Sequence, residues 1–158
     1  MEISKSATLP ESAGPITVAI IEDDRRIRDG LGTLINGTAG YRCNLLFRSM
    51  EDALAHAWSE VPDVALVDIG LPGMSGIDGL PRLREKYPKV ALLMLSVYED
   101  DERIFEALCA GASGYLLKKT PPNKLLECLA EVLRGGAPMS PEVAGRVVRL
   151  FRERLTKN

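Results

Sequence analysis

The stretch Ile16–Ile21 (ITVAII) is an almost wholly apolar, largely β-branched run that stops abruptly at three acids, Glu22-Asp23-Asp24. Such a run offers no polar face to water, so it reads as a strand buried on both sides. Asp24 then stands as an N-cap to a segment in which Ile27, Leu31, Leu34 and Ile35 recur at spacings of three and four, closed by Gly37 or Gly40, which predicts an amphipathic helix. The alternation repeats along the chain. Strands are expected over 41–49, 63–68, 90–96 and 113–117, and helices over 50–60 (with Ala53, Leu54, Ala57 and Trp58 on one side), 76–87, 100–110 and 122–133. Five strand–helix units with doubly buried strands require a parallel sheet covered by helices on both faces, joined by right-handed crossovers. The reading is a doubly wound α/β domain over about residues 16–135. In such sheets ligands sit beyond the carboxyl ends of the strands.

Composition agrees with a globular core and removes other classes. Of 158 residues, 46% are hydrophobic and 27% charged, which suits neither a disordered chain nor a membrane protein. Twenty Lys and Arg against twenty-two Asp and Glu leave a net charge of −2, so the chain has no global attraction to nucleic acid or anionic lipid. The longest apolar stretch, 90–98, is interrupted by Ser96 and is far short of the roughly 20 residues that span a bilayer. Residues 1–15, with Glu2, Lys5, Glu11 and two prolines, fail as a secretory signal and read as a disordered leader, which places the protein in the cytoplasm. Cys43, Cys109 and Cys128 lack any metal-ligand or redox spacing and read as reduced thiols, and His56 has no ligand partner at useful spacing. Residues 136–158 read as a linker and a last helix starting at Ser140-Pro141-Glu142, with Ser140 as N-cap and Pro141 in the first turn. Val143, Val147, Leu150, Phe151 and Leu155 form an apolar stripe suited to docking or self-association. Arg146, Arg149, Arg152 and Arg154 read as a solvated face.

The strand ends carry the chemistry. The first ends in Glu22 and Asp23 and the third in Asp68. Neighbouring strands would crowd these carboxylates together, which is costly unless a cation neutralises them. Mg²⁺ suits such a set, with Asp23 and Asp68 as direct ligands and Glu22 acting through water. The fourth strand ends in a hydroxyl, Ser96, and the fifth in an ammonium, Lys118. A hydroxyl and a cation facing a metal-bound carboxylate can hold a transferred phosphoryl group, and Asp68 is then the nucleophile.

Val18-Ala-Ile-Ile-Glu-Asp-Asp24, Ala65-Leu-Val-Asp-Ile-Gly-Leu-Pro-Gly-Met-Ser-Gly76, Leu93-Met-Leu-Ser96 and Gly111-Ala-Ser-Gly-Tyr-Leu-Leu-Lys118 together resemble the receiver domain of two-component response regulators, over residues 16–135. The resemblance implies a flavodoxin-like sheet of order 2-1-3-4-5. It also implies that Asp68 accepts phosphate from a sensor histidine kinase, and that Mg²⁺ is held by Asp23, Asp68 and the backbone carbonyl of Gly70. It further implies a switch in which Ser96 turns toward the phosphoryl group and Tyr115 rotates into the vacated space. The stretch Gly111–Lys118 and the tail around Gly135-Gly-Ala-Pro are similar to the NarL/LuxR class, whose members carry a helix-turn-helix output domain. DNA contact is then expected only through an output domain that these residues do not include, the chain being a receiver fragment or a stand-alone receiver. Members of that class can pair through their first and fifth helices, here 25–37 and 122–133.

Two departures stand out. Many receivers have a cis proline after the site lysine, whereas Lys118 is followed by Lys119, and a cis bond without proline costs about 2.5 to 4 kcal/mol. Gly70 offers no side chain to orient an attacking water and Tyr98 can shield the site, so slow hydrolysis of the phosphorylated form is expected. The competing readings fit less well. A haloacid-dehalogenase-type phosphatase needs a second Asp two residues after the nucleophile, where Gly70 stands, and a dinucleotide site needs glycines where Glu22-Asp-Asp-Arg-Arg26 stands. The chain is therefore not expected to be an enzyme in the turnover sense.

Overall fold

The computed structural model describes residues 14–156, so residues 1–13 of the expected leader lie outside the described residues. Along the chain the elements are β1 (Ile16–Ile21), α1 (Arg25–Asn36), β2 (Tyr41–Phe47), α2 (Met50–Ala55), β3 (Val64–Val67), α3 (Gly76–Lys86), β4 (Ala91–Ser96), α4 (Asp101–Cys109), β5 (Gly114–Leu117), α5 (Pro122–Leu133) and α6 (Pro141–Thr156). The strands form one parallel sheet in the order β2-β1-β3-β4-β5. This is the flavodoxin-like order, with α6 as an extra C-terminal helix.

Strand periodicity divides the core in two. Ala19 and Ile21 of β1, Ala65 and Val67 of β3 and Leu92 and Met94 of β4 pack with Met50, Leu80, Leu83 and Ile104 from α2, α3 and α4. The alternate residues Val18, Ile20, Val64, Leu66, Leu93 and Leu95 pack with Ile35 of α1 and Leu125 and Leu129 of α5. Because β1, β3 and β4 are buried on both faces, their residues past the last apolar position are the first free to carry charge. Asp24 caps α1 as expected, its side chain accepting from the N–H groups of Arg26 and Ile27.

Two local expectations need correction. The second helix ends at Ala55, not near residue 60, and His56 is already extended. The cause is Trp58, which leaves the helix to stack between the rings of Phe47 (5.6 Å) and Tyr87 (4.2 Å). Its indole N–H donates to the Ala53 carbonyl and its backbone N–H to the Tyr87 hydroxyl, while Ala57 is left exposed. The second correction concerns Ser140, whose hydroxyl does not cap α6 but accepts the backbone N–H of Leu117 at 2.9 Å. All peptide bonds among the described residues are trans, including Lys118–Lys119. No helix among them is long and apolar enough to cross a membrane.

Since Trp58 is 6% exposed and sandwiched by two rings, Trp58→Ala is expected to lower unfolding free energy by about 3 to 5 kcal/mol, read from the midpoint of a urea titration.

Candidate functional site

The register of the sheet brings the sequence-predicted residues together. Ile21 pairs with Val67, so the next residues of the two strands, Glu22 and Asp68, emerge side by side, and the Asp68 N–H donates to the Ile21 carbonyl at 3.0 Å. On the other side Ser96 pairs with Leu117, and the Lys118 N–H donates to the Ser96 carbonyl at 2.8 Å. Glu22, Asp68 and Ser96 are buried, whereas Asp23 is exposed and Lys118 half-buried. Carboxylate oxygens of Glu22, Asp23 and Asp68 lie within 4.8 Å of one another. The Lys118 Nζ lies 2.6 Å from Glu22 Oε1 and 3.4 Å from Asp68 Oδ2. The Gly70 N–H is 3.3 Å from Asp68 Oδ1, which keeps the loop after β3 folded back over the carboxylate.

Electrostatics follow from this crowding. Burial pushes the Glu22 carboxyl above its usual range, and the nearby Asp68 charge adds to the rise, while hydrogen bonds from Lys118 and the Asp24 N–H pull the other way. Burial alone would lower the Lys118 pKa, but the hydrogen bond to Glu22 and the charges of Asp68 and Glu22 outweigh it, so the ammonium is held above the usual lysine value. The site thus keeps one firmly charged cation against acids that would otherwise repel one another. Three hard oxygen donors at this spacing, two sheltered and one open to solvent, fit a small dication such as Mg²⁺.

Ser96 and Tyr115 lie close enough for their side chains to interact directly, and both also bond the backbone of Tyr98. The Ser96 hydroxyl accepts the Tyr98 N–H at 3.0 Å, and the Tyr115 hydroxyl donates to the Tyr98 carbonyl at 2.6 Å. Tyr115 is fully buried. It shares its apolar cluster with Val143 and Met139 of the C-terminal segment, and its backbone bridges to Met139. The Tyr98 ring lies over Gly70, a side-chain carbon at Gly70 being only 3.3 Å from Tyr98 Cε2, and the Arg103 guanidinium stacks 4.2 Å from the ring centroid.

Sequence reasoning missed three supports. Arg28 Nη1 donates to the Glu22 carbonyl at 2.9 Å and the Asp23 carbonyl at 3.3 Å, fixing the turn that presents both acids. A Glu51 carboxylate oxygen accepts the Met74 N–H at 2.7 Å and ties down the loop after Asp68. Gly76 passes so near that loop that any side-chain carbon would collide with the Asp68 carbonyl oxygen. Of these, only Gly76 lay in a stretch the sequence already singled out.

A family profile described as "Response regulator receiver domain" matches residues 18–130. The chain belongs to the response regulator receiver family. Among curated relatives, this receiver is 31% identical to the transcriptional regulatory protein DegU of Brevibacillus brevis, over 87% of this chain and 58% of DegU. It is 33% identical to the nitrate/nitrite response regulator protein NarL of Escherichia coli K12, over 80% of this chain and 58% of NarL. The receiver thus spans about three fifths of the length of these relatives. A LuxR-family two-component response regulator from Aurantimonas sp. SI85-9A1 superposes with a TM-score of 0.80 at 25% identity, covering 90% of this chain and 99% of that one. A CheY-like receiver domain protein from Methanospirillum hungatei JF-1 superposes with a TM-score of 0.70 at 29% identity, over 77% and 96% of the two chains. The fold and the NarL/LuxR-class resemblance read from the sequence are those of these relatives.

Burial pushes the Tyr115 hydroxyl up to about 12, above the ordinary tyrosine value near 10. The folded state then holds this proton when the unfolded state has released it. Stability from Tyr115 is complete below about pH 10 and is lost as pH rises through about 12. Urea titrations over this window are expected to show a steeper decline for the parent protein than for Tyr115→Phe.

Proposed function

We propose that this receiver is a phospho-acceptor switch of a two-component system, phosphorylated on Asp68 by a sensor histidine kinase in a Mg²⁺-dependent reaction, and that it is the receiver part of a LuxR-type transcriptional regulator. The single observation that carries the reading is the convergence of Asp68 with Glu22, Asp23 and Lys118 at adjoining strand ends.

In the proposed step an Asp68 carboxylate oxygen attacks the phosphorus of a phosphohistidine. The new O–P bond forms as the P–N bond breaks, and the imidazole nitrogen keeps the electron pair. Asp68 is left as an acyl phosphate. Asp23 and Asp68, with the Gly70 carbonyl and Glu22 through water, would hold the ion; when bound, Mg²⁺ supplies positive charge against the carboxylates and the phosphoryl oxygens. Lys118 sits where its ammonium can leave Glu22 for a phosphoryl oxygen, and the Ser96 hydroxyl can turn from the Tyr98 N–H to donate to another. The protein does not turn over substrate: the modified aspartate is its output. Tyr98 over Gly70 narrows the path for an attacking water, which supports a long-lived phosphoryl form.

In this reading the receiver works in the cytoplasm, and DNA contact falls to an output domain outside these residues, as the names and lengths of the transcriptional relatives suggest. Homodimers would form through α1 and α5, which pack on the same sheet face.

Incubation with acetyl phosphate and Mg²⁺ is expected to add one phosphoryl group by intact mass. Chelation or Asp68→Asn should abolish the addition, and Lys118→Ala should slow it by about 10²-fold. Persistence of labelling in Asp68→Asn would remove the assignment. Tyr98→Ala is expected to shorten the lifetime of the phosphorylated form several-fold, followed by the decay of that mass peak. A parent lifetime of only seconds would show that the ring does not shield the site.

A further inference from the structure

We propose that residues 138–140 and α6 form a latch on the β5 edge that opens when Asp68 is phosphorylated. The proposal rests on the phospho-acceptor reading above and adds a regulated contact within this chain.

β5 is the outer strand on its side of the sheet, so its outward backbone groups need partners. The C-terminal segment supplies them. The Tyr115 N–H donates to the Pro138 carbonyl at 3.0 Å, the Ser140 N–H donates to the Tyr115 carbonyl at 3.2 Å, and the Leu117 N–H donates to the Ser140 hydroxyl at 2.9 Å. Gly114 makes this approach feasible, because a side-chain carbon there would run into the Pro138 carbonyl oxygen. Beyond the strap, α6 turns back onto α4. Val143 is fully buried in the same cluster as Tyr115 and Ile104. Arg146 Nη1 lies 3.0 Å and Arg149 Nη2 3.8 Å from Asp101 Oδ1, and Lys119 Nζ lies 2.9 Å from Glu142 Oε2. The Arg154 guanidinium stacks 4.0 Å above the Phe105 ring. The second half of the helix is held less firmly, Val148, Phe151 and Leu155 being exposed.

The latch shares atoms with the site. Tyr115 and Leu117, which hold the strap, precede Lys118 on β5, and Lys119 follows it. The Tyr115 hydroxyl and the Ser96 hydroxyl both bond to the backbone of Tyr98. Tyr98 lies in the short loop that leads into α4, whose first residue is Asp101, the anchor of Arg146 and Arg149. When the Ser96 hydroxyl turns to a phosphoryl oxygen it gives up the Tyr98 N–H, and the loop before α4 keeps one of its two ties to the strands, the Tyr115 hydroxyl on the Tyr98 carbonyl. The ionic anchors of α6 are exposed or half-exposed pairs, each of small worth, and they act beside the buried Val143 at its first turn. A modest change at the loop is therefore enough to shift the balance between seated and released helix. Release uncovers Phe105 and the apolar seat of Val143.

The test is hydrogen exchange by mass spectrometry on the full 158-residue chain, with and without beryllofluoride plus Mg²⁺ as the phosphoryl mimic. Amides of 141–156 are expected to exchange roughly tenfold faster with the mimic bound, and Asp68→Asn should show no such change. Asp101→Ala is expected to speed exchange of α6 several-fold without the mimic. Because coupling is reciprocal, it should also tighten beryllofluoride binding by a similar factor. Arg146→Ala should act in the same direction, and combining it with Asp101→Ala should add less than the sum of the two. Binding of beryllofluoride with unchanged or slower exchange in α6 would overturn the latch while leaving the phospho-acceptor reading intact. So would an Asp101→Ala variant whose helix loosens with no change in beryllofluoride affinity. Failure of beryllofluoride to bind, together with failure of acetyl phosphate to label Asp68, would overturn both.

Discussion

Two buried carboxylates side by side repel one another, and in this fold the cation set between them is Lys118. Glu22 and Asp68 are placed together by the pairing of β1 with β3, a consequence of apolar runs that end at the same level. Lys118 reaches them from β5 because β4 lies between and its own last residue is a small one, Ser96. The arrangement is a store of electrostatic tension more than a source of stability. Such a cluster is weak as a structural bond, since desolvation offsets much of the attraction. It is well placed to be rearranged by an incoming group with strong charge of its own.

Most of this was legible in the sequence because the governing signals are short-range. Doubly buried strands declare themselves as apolar runs, and the acid, hydroxyl or lysine that ends each run is by geometry at the same rim of the sheet. Ile16–Ile21 with Glu22 and Asp23, and Gly114–Leu117 with Lys118, needed no knowledge of their partners. The errors came where a distant side chain decided a local outcome. Trp58 had the right spacing to continue a helix, yet stacking between Phe47 and Tyr87, which lie on other elements, ended α2 at Ala55. Ser140 had the right position for a cap, yet the unmet N–H of Leu117 claimed its hydroxyl. Arg28 and Glu51 act on backbone atoms of loops, and nothing in residue type or spacing marks such contacts in advance.

The C-terminal helix shows the same division. Its apolar stripe was readable, but its docking place was not, because α4 offers acids and apolar residues that could serve any neighbour. The structure places Val143 in the same core cluster as Tyr115, pairs Arg146 and Arg149 with Asp101 and stacks Arg154 on Phe105, so three of the four arginines that looked like a solvated face are engaged within the chain. This also explains why Tyr115 is inside: the residues that would otherwise leave its strand bare are covered from the outside by the chain itself.

Trp58 is the one tryptophan of the sequence. It sits on the β2 and α3 side of the sheet, sealed between two rings and far along the strand order from β5. Its intrinsic fluorescence therefore reports whether that flank is folded while remaining optically blind to rearrangement around the opposite margin. The molecule carries a built-in spectroscopic reference that separates loss of the fold from a change of signalling state.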